Sequence, residues 1–135
     1  MLHDILSNVI VPDDLAGAVK DSFESGNMDA RERDAVNSML SERISSARRL
    51  GWFPDDPKGV FTEIPVVDTD GEVYRPDRVL VRDGKVTIVD YKFGLPEKKH
   101  VSQVRKYAEM YRAMGYSDVT ASLWYVPEDK VVPVC

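Results

Sequence analysis

The stretch Pro76-Asp77-Arg78-Val79-Leu80-Val81-Arg82-Asp83-Gly84-Lys85-Val86-Thr87-Ile88-Val89-Asp90-Tyr91-Lys92 reads as two strands joined by Asp83-Gly84. An Asp-Gly pair favours the two-residue type I′ hairpin, because both central positions of that turn need positive φ. Such a turn fixes the pairing. Arg82 should face Lys85, Val81 should face Val86, Val79 should face Ile88, and Asp77 should face Asp90. Opposed residues have Cβ atoms roughly 4.5–5.5 Å apart, and like charges placed there destabilise a sheet. Alternation along the strand puts Lys92 on the face of both aspartates and turns Tyr91 to the other side. The apolar pairs floor the same face, so the hairpin is core near its turn and charged at its far end. Two carboxylates and an ammonium in that register make a candidate divalent-metal site with a lysine beside it. The plainer alternative is a solvated strand end at which the lysine neutralises one aspartate.

These residues also carry a family resemblance. Pro76-Asp77 followed by Asp90-Tyr91-Lys92 resembles the signature of the PD-(D/E)XK nucleases, proline included. Gln103-Val104-Arg105-Lys106-Tyr107 is similar to the Gln-x-x-x-Tyr motif of the subgroup found at the C-terminus of RecB- and AddA-type helicase-nucleases and related UvrD-like helicases. Met1-Leu2-His3-Asp4-Ile5-Leu6 is similar to the helix that supplies a metal-binding histidine in that subgroup. The three matches occur in family order along the chain.

At 135 residues and 43% apolar content, the chain has enough material for one sizeable core and is expected to form a single domain over residues 1–135. No apolar run approaches bilayer-spanning length, and no leader is expected before the first helix, so no membrane partner is expected. One cysteine, Cys135, excludes a disulfide within the chain and suits a reducing, cytoplasmic compartment. The net charge of −5 is unfavourable for gripping a duplex unaided, since such affinity comes largely from lysine and arginine at phosphates. The resemblance supplies a remedy. It implies that the chain is the excised C-terminal part of a larger helicase-nuclease, whose helicase domain or subunit delivers a single DNA strand.

Periodicity predicts helices over His3–Ile10, Asp13–Ser25 and from an Asp29-x-x-Glu32 capping box to Leu50, with Gly26 and Gly51 as stops. Strands are predicted over Gly59–Val67, Glu72–Val81 and Lys85–Lys92, then a helix over Lys98–Met114 and strands over Val119–Val126 and Lys130–Val134. This order gives an α/β fold with helices flanking a mixed central sheet. The resemblance narrows that to the restriction-endonuclease-like αβββαβ core.

Mg²⁺ binds oxygen ligands, usually one or two carboxylates with several waters, and Asp77 and Asp90 meet that demand. The resemblance adds the backbone carbonyl of Tyr91 and the imidazole of His3 as further ligands. An imidazole donor suits Mn²⁺ better than Mg²⁺, so Mn²⁺ is expected to support activity too. Lys92 would orient the attacking water and offset charge on a scissile phosphate. Gln103 and Tyr107, four apart, share one helical face and are expected to serve the same site. Glu63 resembles the family's strand glutamate near the site, or else is an ordinary outward strand residue. Lys98, Lys99, His100, Arg105 and Lys106 offer a wall for a strand backbone, or simply a solvated face. Trp52, Phe53 and Trp124 are either core or base-stacking residues, with core the stronger reading. The function implied is a Mg²⁺- or Mn²⁺-dependent deoxyribonuclease of exonuclease V type, exo- or endonucleolytic, acting in DNA end processing and recombinational repair. It would leave 5′-phosphate and 3′-hydroxyl ends. The alternative is a catalytically silent module of the same fold that guides a strand or docks a helicase. No glycine-rich phosphate loop points to a small-molecule enzyme.

Overall fold

The computed structural model describes residues 1–135 and divides into two compact units, Met1–Lys58 and Gly59–Cys135. The first unit is helical: α1 (Leu2–Ser7), a 3₁₀ turn (Pro12–Asp14), α2 (Leu15–Glu24) and α3 (Ala30–Arg48). α1 stops short of Ile10. The Asn8 side chain donates to the Asp4 carbonyl at 3.0 Å, drawing off a helix-end acceptor. Val11, ahead of Pro12, is extended at φ −111° and ψ 158°, as the proline ring demands. The Asp14 carboxylate accepts from the Ile10 and Val11 amides at 3.1 and 3.0 Å, so the next helix opens as a 3₁₀ turn. Gly26, at φ +81°, follows α2 as expected. The capping box forms in full: the Glu32 amide donates to Asp29 Oδ1 at 2.8 Å and the Asp29 amide to Glu32 Oε1 at 3.3 Å. α3 packs on α2, and Leu15, Val19, Leu40, Ile44 and Ala47 are buried.

The second unit holds a five-stranded sheet in the order β1-β4-β5-β6-β7 and a separate ribbon of β2 with β3. The sheet strands are β1 (Val60–Thr62), β4 (Arg78–Arg82), β5 (Lys85–Lys92), β6 (Asp118–Tyr125) and β7 (Lys130–Pro133). The ribbon is β2 (Val66–Val67) with β3 (Val73–Tyr74). β5 and β6 run parallel and the other neighbours antiparallel, so the sheet is mixed and the fold is α/β. Both predicted long strands before β5 are broken. Glu63 sits in the left-handed region at φ +52° and Pro65 has no amide to donate, so Gly59–Val67 divides into β1 and β2. Pro76 divides Glu72–Val81 into β3 and β4 in the same way.

A parallel pair needs a crossover, and α4 (Lys98–Ala113) provides it between β5 and β6. Its Val104, Tyr107, Ala108, Met110 and Tyr111 form one core cluster with Val79, Val86 and Ile88 of the hairpin and with Leu123 of β6. Met114, the last residue of the predicted helix, caps it and is 53% exposed. Met110 is buried in its stead. No helix is long and apolar enough to cross a membrane.

Gly59 has φ +76°, and its carbonyl accepts from the Val81 amide at 2.8 Å; a Cβ there would collide with the Val81 carbonyl oxygen. Gly59→Ala should therefore destabilise by at least about 2 kcal/mol, combining left-handed strain with the collision. Gly71, at φ +83° with open space around it, is the control, and Gly71→Ala should cost only about 1 kcal/mol. Urea unfolding of the two variants checks the difference.

Candidate functional site

Asp83 and Gly84 adopt φ +52° and +78°, the two positive values a type I′ turn requires. The register follows as expected, with Arg82 opposite Lys85, Val81 opposite Val86, Val79 opposite Ile88 and Arg78 opposite Val89. One step further lie Asp77, just ahead of β4, and Asp90 in β5. Both are buried, at 6% and 3% exposure. The Tyr91 amide donates to Asp77 Oδ2 at 2.8 Å, while Lys92 Nζ lies 2.9 Å from Asp90 Oδ2.

Burial pushes the Asp90 carboxyl up to about 7, reinforced by the Asp77 charge and by a hydrogen bond between the two carboxyls; Lys92 pulls the other way. A hydrogen bond between two carboxyl groups requires a proton on one of them. The pair therefore holds a proton that a solvated aspartate would have lost.

α4 completes the group. Lys92 Nζ donates to Gln103 Oε1 at 3.1 Å, so one ammonium bridges the acid pair to the helix. Tyr107, one turn on, is buried at 4% exposure, with its ring edge-on to Tyr74 at 6.1 Å between centroids. Its hydroxyl is held protonated well above the usual range, first by burial and then by the charges of Asp90 and Asp77. Gln103 itself is exposed, so this helical face is anchored at Tyr107 and open at Gln103.

Asp77, Asp90, Lys92, Gln103 and Tyr107 thus stand together. Glu63 joins them at the edge: its amide donates to the Asp77 carbonyl at 3.2 Å, and its carboxylate comes within 4.8 Å of that of Asp77. The Tyr91 side chain takes the opposite face, edge-on to Trp124 at 5.8 Å. His3 belongs to the first unit, on α1, with Nδ1 3.5 Å from Ser7 Oγ, and its ligand role stays an implication of the resemblance.

The basic helix does not present one uniform wall. Lys106 lies 3.7 Å from Asp68, Lys99 lies 3.6 Å from Glu97, and His100 is buried. Trp52, Phe53 and Trp124 are all buried, as core residues are.

Two features escape a reading of the sequence. Arg78, next to Asp77, is fully buried on the far face, hydrogen-bonded to Tyr91; burial lowers its pKa and Tyr91 opposes that shift. The sequence signal was an arginine at a strand position whose neighbours are apolar. The second is a cleft of about 490 Å³ lined by Lys92, Glu97, Lys99, His100 and Gln103. No known protein-family model matches this chain, and no curated protein sequence matches it.

The Asp90 proton has a consequence for stability. An unfolded aspartate titrates near 3.8 and this one near 7, so between those values the native state keeps a proton that the unfolded state has released. Stability contributed by this group is greatest below pH 4 and declines as pH rises to about 7. In chelator, Asp90→Asn should flatten that decline and raise stability at pH 8 by on the order of 2 kcal/mol. Urea unfolding at pH 5.5 and pH 8 tests this, and an unchanged pH dependence would refute it.

Proposed function

We propose that this chain is a metal-dependent nuclease of the PD-(D/E)XK kind, hydrolysing DNA phosphodiester bonds. The observation that carries the reading is the buried pair of Asp77 and Asp90, with the Tyr91 amide 2.8 Å from Asp77 and Lys92 2.9 Å from Asp90. Such an arrangement opposes folding, and a site whose chemistry needs paired acids accounts for its presence. The succession of α3, three antiparallel strands β1, β4 and β5, the crossover α4 and the parallel β6 supports the αβββαβ core as the finer description.

The donor set fits a hard divalent cation, since carboxylate oxygens converge at the end of a sheet and Glu63 offers another within 4.8 Å of Asp77. Asp77, Asp90 and the Tyr91 carbonyl would hold Mg²⁺ or Mn²⁺, with Glu63 as an accessory. Such an ion, when bound, acidifies water and offsets negative charge on a phosphate.

The other roles belong to the chain's own groups. Lys92 rides on the same strand face as Asp90, where its ammonium orients an attacking water and offsets charge on the scissile phosphate. Gln103 accepts one of the ammonium's hydrogens and Asp90 draws a second, leaving one for a further partner. Tyr107 stays a neutral hydroxyl beside the acids and anchors the helix that carries Gln103. With a net charge of −5, the chain is best suited to a strand handed over by a partner, and we assign that part to an intracellular helicase motor acting in DNA end processing.

Linear single- and double-stranded DNA incubated with the chain and Mg²⁺ or Mn²⁺ should be cut. Lys92→Ala and Asp90→Ala should each lose at least about 100-fold in rate, and Gln103→Ala about tenfold. Circular dichroism verifies that the variants fold. Cleavage at the wild-type rate by folded Lys92→Ala and Asp90→Ala would sink the proposal.

A further inference from the structure

Glu97 is the N-cap residue of α4, yet its side chain does not cap the helix. Its Oε2 instead lies 3.1 Å from His100 Nε2 and 3.6 Å from Lys99 Nζ. A carboxylate accepts and does not donate, so a proton shared in this contact would have to come from Nε2. The imidazole is buried at 9% exposure, and its Nδ1 is 3.1 Å from the Tyr125 hydroxyl at the end of β6. One ring nitrogen is therefore anchored to the sheet, and the other is directed into the cleft that Lys92 and Gln103 also line. Nitrogen atoms of two different residues thus lie near a single oxygen. The carboxylate that supplies this oxygen is 54% exposed and tethered by a flexible side chain, so it is readily displaced.

We propose that this cleft is a second phosphate subsite, in which His100 Nε2–H and Lys99 hold the backbone phosphate next to the scissile one, and that Glu97 is the internal oxyanion which that phosphate displaces. The proposal rests on the nuclease reading for the identity of the neighbouring phosphate. It deepens that reading by naming the substrate class: a polynucleotide strand that engages at least two consecutive phosphates, one at Lys92 and one here. A mononucleotide ester leaves the cleft to Glu97. The internal carboxylate also serves selectivity, because only an anion with more charge or more contacts than one carboxylate gains by replacing it.

Fluorescence anisotropy in EDTA, where no cleavage occurs, tests the subsite with labelled single-stranded DNA and with RNA of the same sequence. Glu97 and Lys99 are exposed, so their variants should keep the fold. Glu97→Gln should bind about fivefold more tightly, and Lys99→Ala about threefold more weakly with the salt slope reduced by about 0.7. Equal effects on DNA and RNA assign the subsite to the shared phosphodiester backbone, and an effect on one alone assigns it to that nucleic acid. Inorganic phosphate should displace the labelled strand at lower concentration from Glu97→Gln than from the wild type, and an unchanged or higher concentration would count against the subsite. Unchanged or weakened binding by Glu97→Gln, or no detectable binding by either protein, overturns the proposal. The two readings fail separately. Intact cleavage with an unaltered KM in Glu97→Gln removes the subsite alone, whereas tighter binding without any Lys92-dependent cleavage removes the nuclease assignment and leaves the subsite standing.

Discussion

A contact between like charges governs this structure. Asp77 and Asp90 are brought side by side at the buried end of a hairpin, and the register leaves them no way apart. What holds that register is apolar. Val79 with Ile88 and Val81 with Val86 lie between the turn and the acids, and a slip of one residue would carry that floor to the other face. The hydrophobic gain of the hairpin thereby sustains an electrostatic conflict at its open end, away from the turn. Each neighbour of the acids relieves part of the conflict: the Tyr91 amide on Asp77, the Lys92 ammonium on Asp90, and a proton kept between the two carboxyls.

The parallel pairing of β5 with β6 extends this arrangement into a cleft. A parallel partner for β5 requires a crossover, and α4 is the crossover. Its apolar stripe seats on the same face as the hairpin floor, so its first turns come to rest beside the acids. Tyr107 lies within the core, while Gln103, one turn closer to the helix start, reaches Lys92 from the solvent side. His100 ties the start of the helix to Tyr125 on β6, the residue paired in register with Lys92. The lysine side chain is consequently held by Asp90 on its own strand and by Gln103 on the helix.

The hairpin was legible in the sequence because its determinants are local. Asp83-Gly84 selects the turn, and alternation selects the faces. The capping box at Asp29 and Glu32 was legible for the same reason. The division of the strands before β5 was less so: prolines at 65 and 76 gave a hint, but the left-handed Glu63 has no signature in its residue type. α1 ended early because Asn8 and Asp14 take up backbone groups, a competition that apolar periodicity does not register. Arg78 and the trio of Glu97, His100 and Tyr125 were hidden for a different reason. A buried cation or an anchored imidazole is defined by what lies across from it, and Tyr125 is 25 residues from His100.

Charge within the cleft sets the terms on which an anionic strand could enter it. Counting one shared proton, Asp77 and Asp90 carry roughly one negative charge, which the single ammonium of Lys92 offsets, and Glu63 adds another nearby. Glu97 in turn lies against Lys99 and His100 and offsets positive charge on that side. Without an added cation the acid pair with Lys92 is close to neutral or slightly acidic, and a phosphodiester gains less at that end of the cleft than it would with the ion in place. Asp77 and Asp90 would hold a divalent ion in place of their proton, which would supply positive charge there and leave the Lys92 ammonium to face a phosphate. On the nuclease reading, the same ion that would support hydrolysis also admits the substrate. Metal and strand should then bind with positive coupling, because each relieves the charge that repels the other.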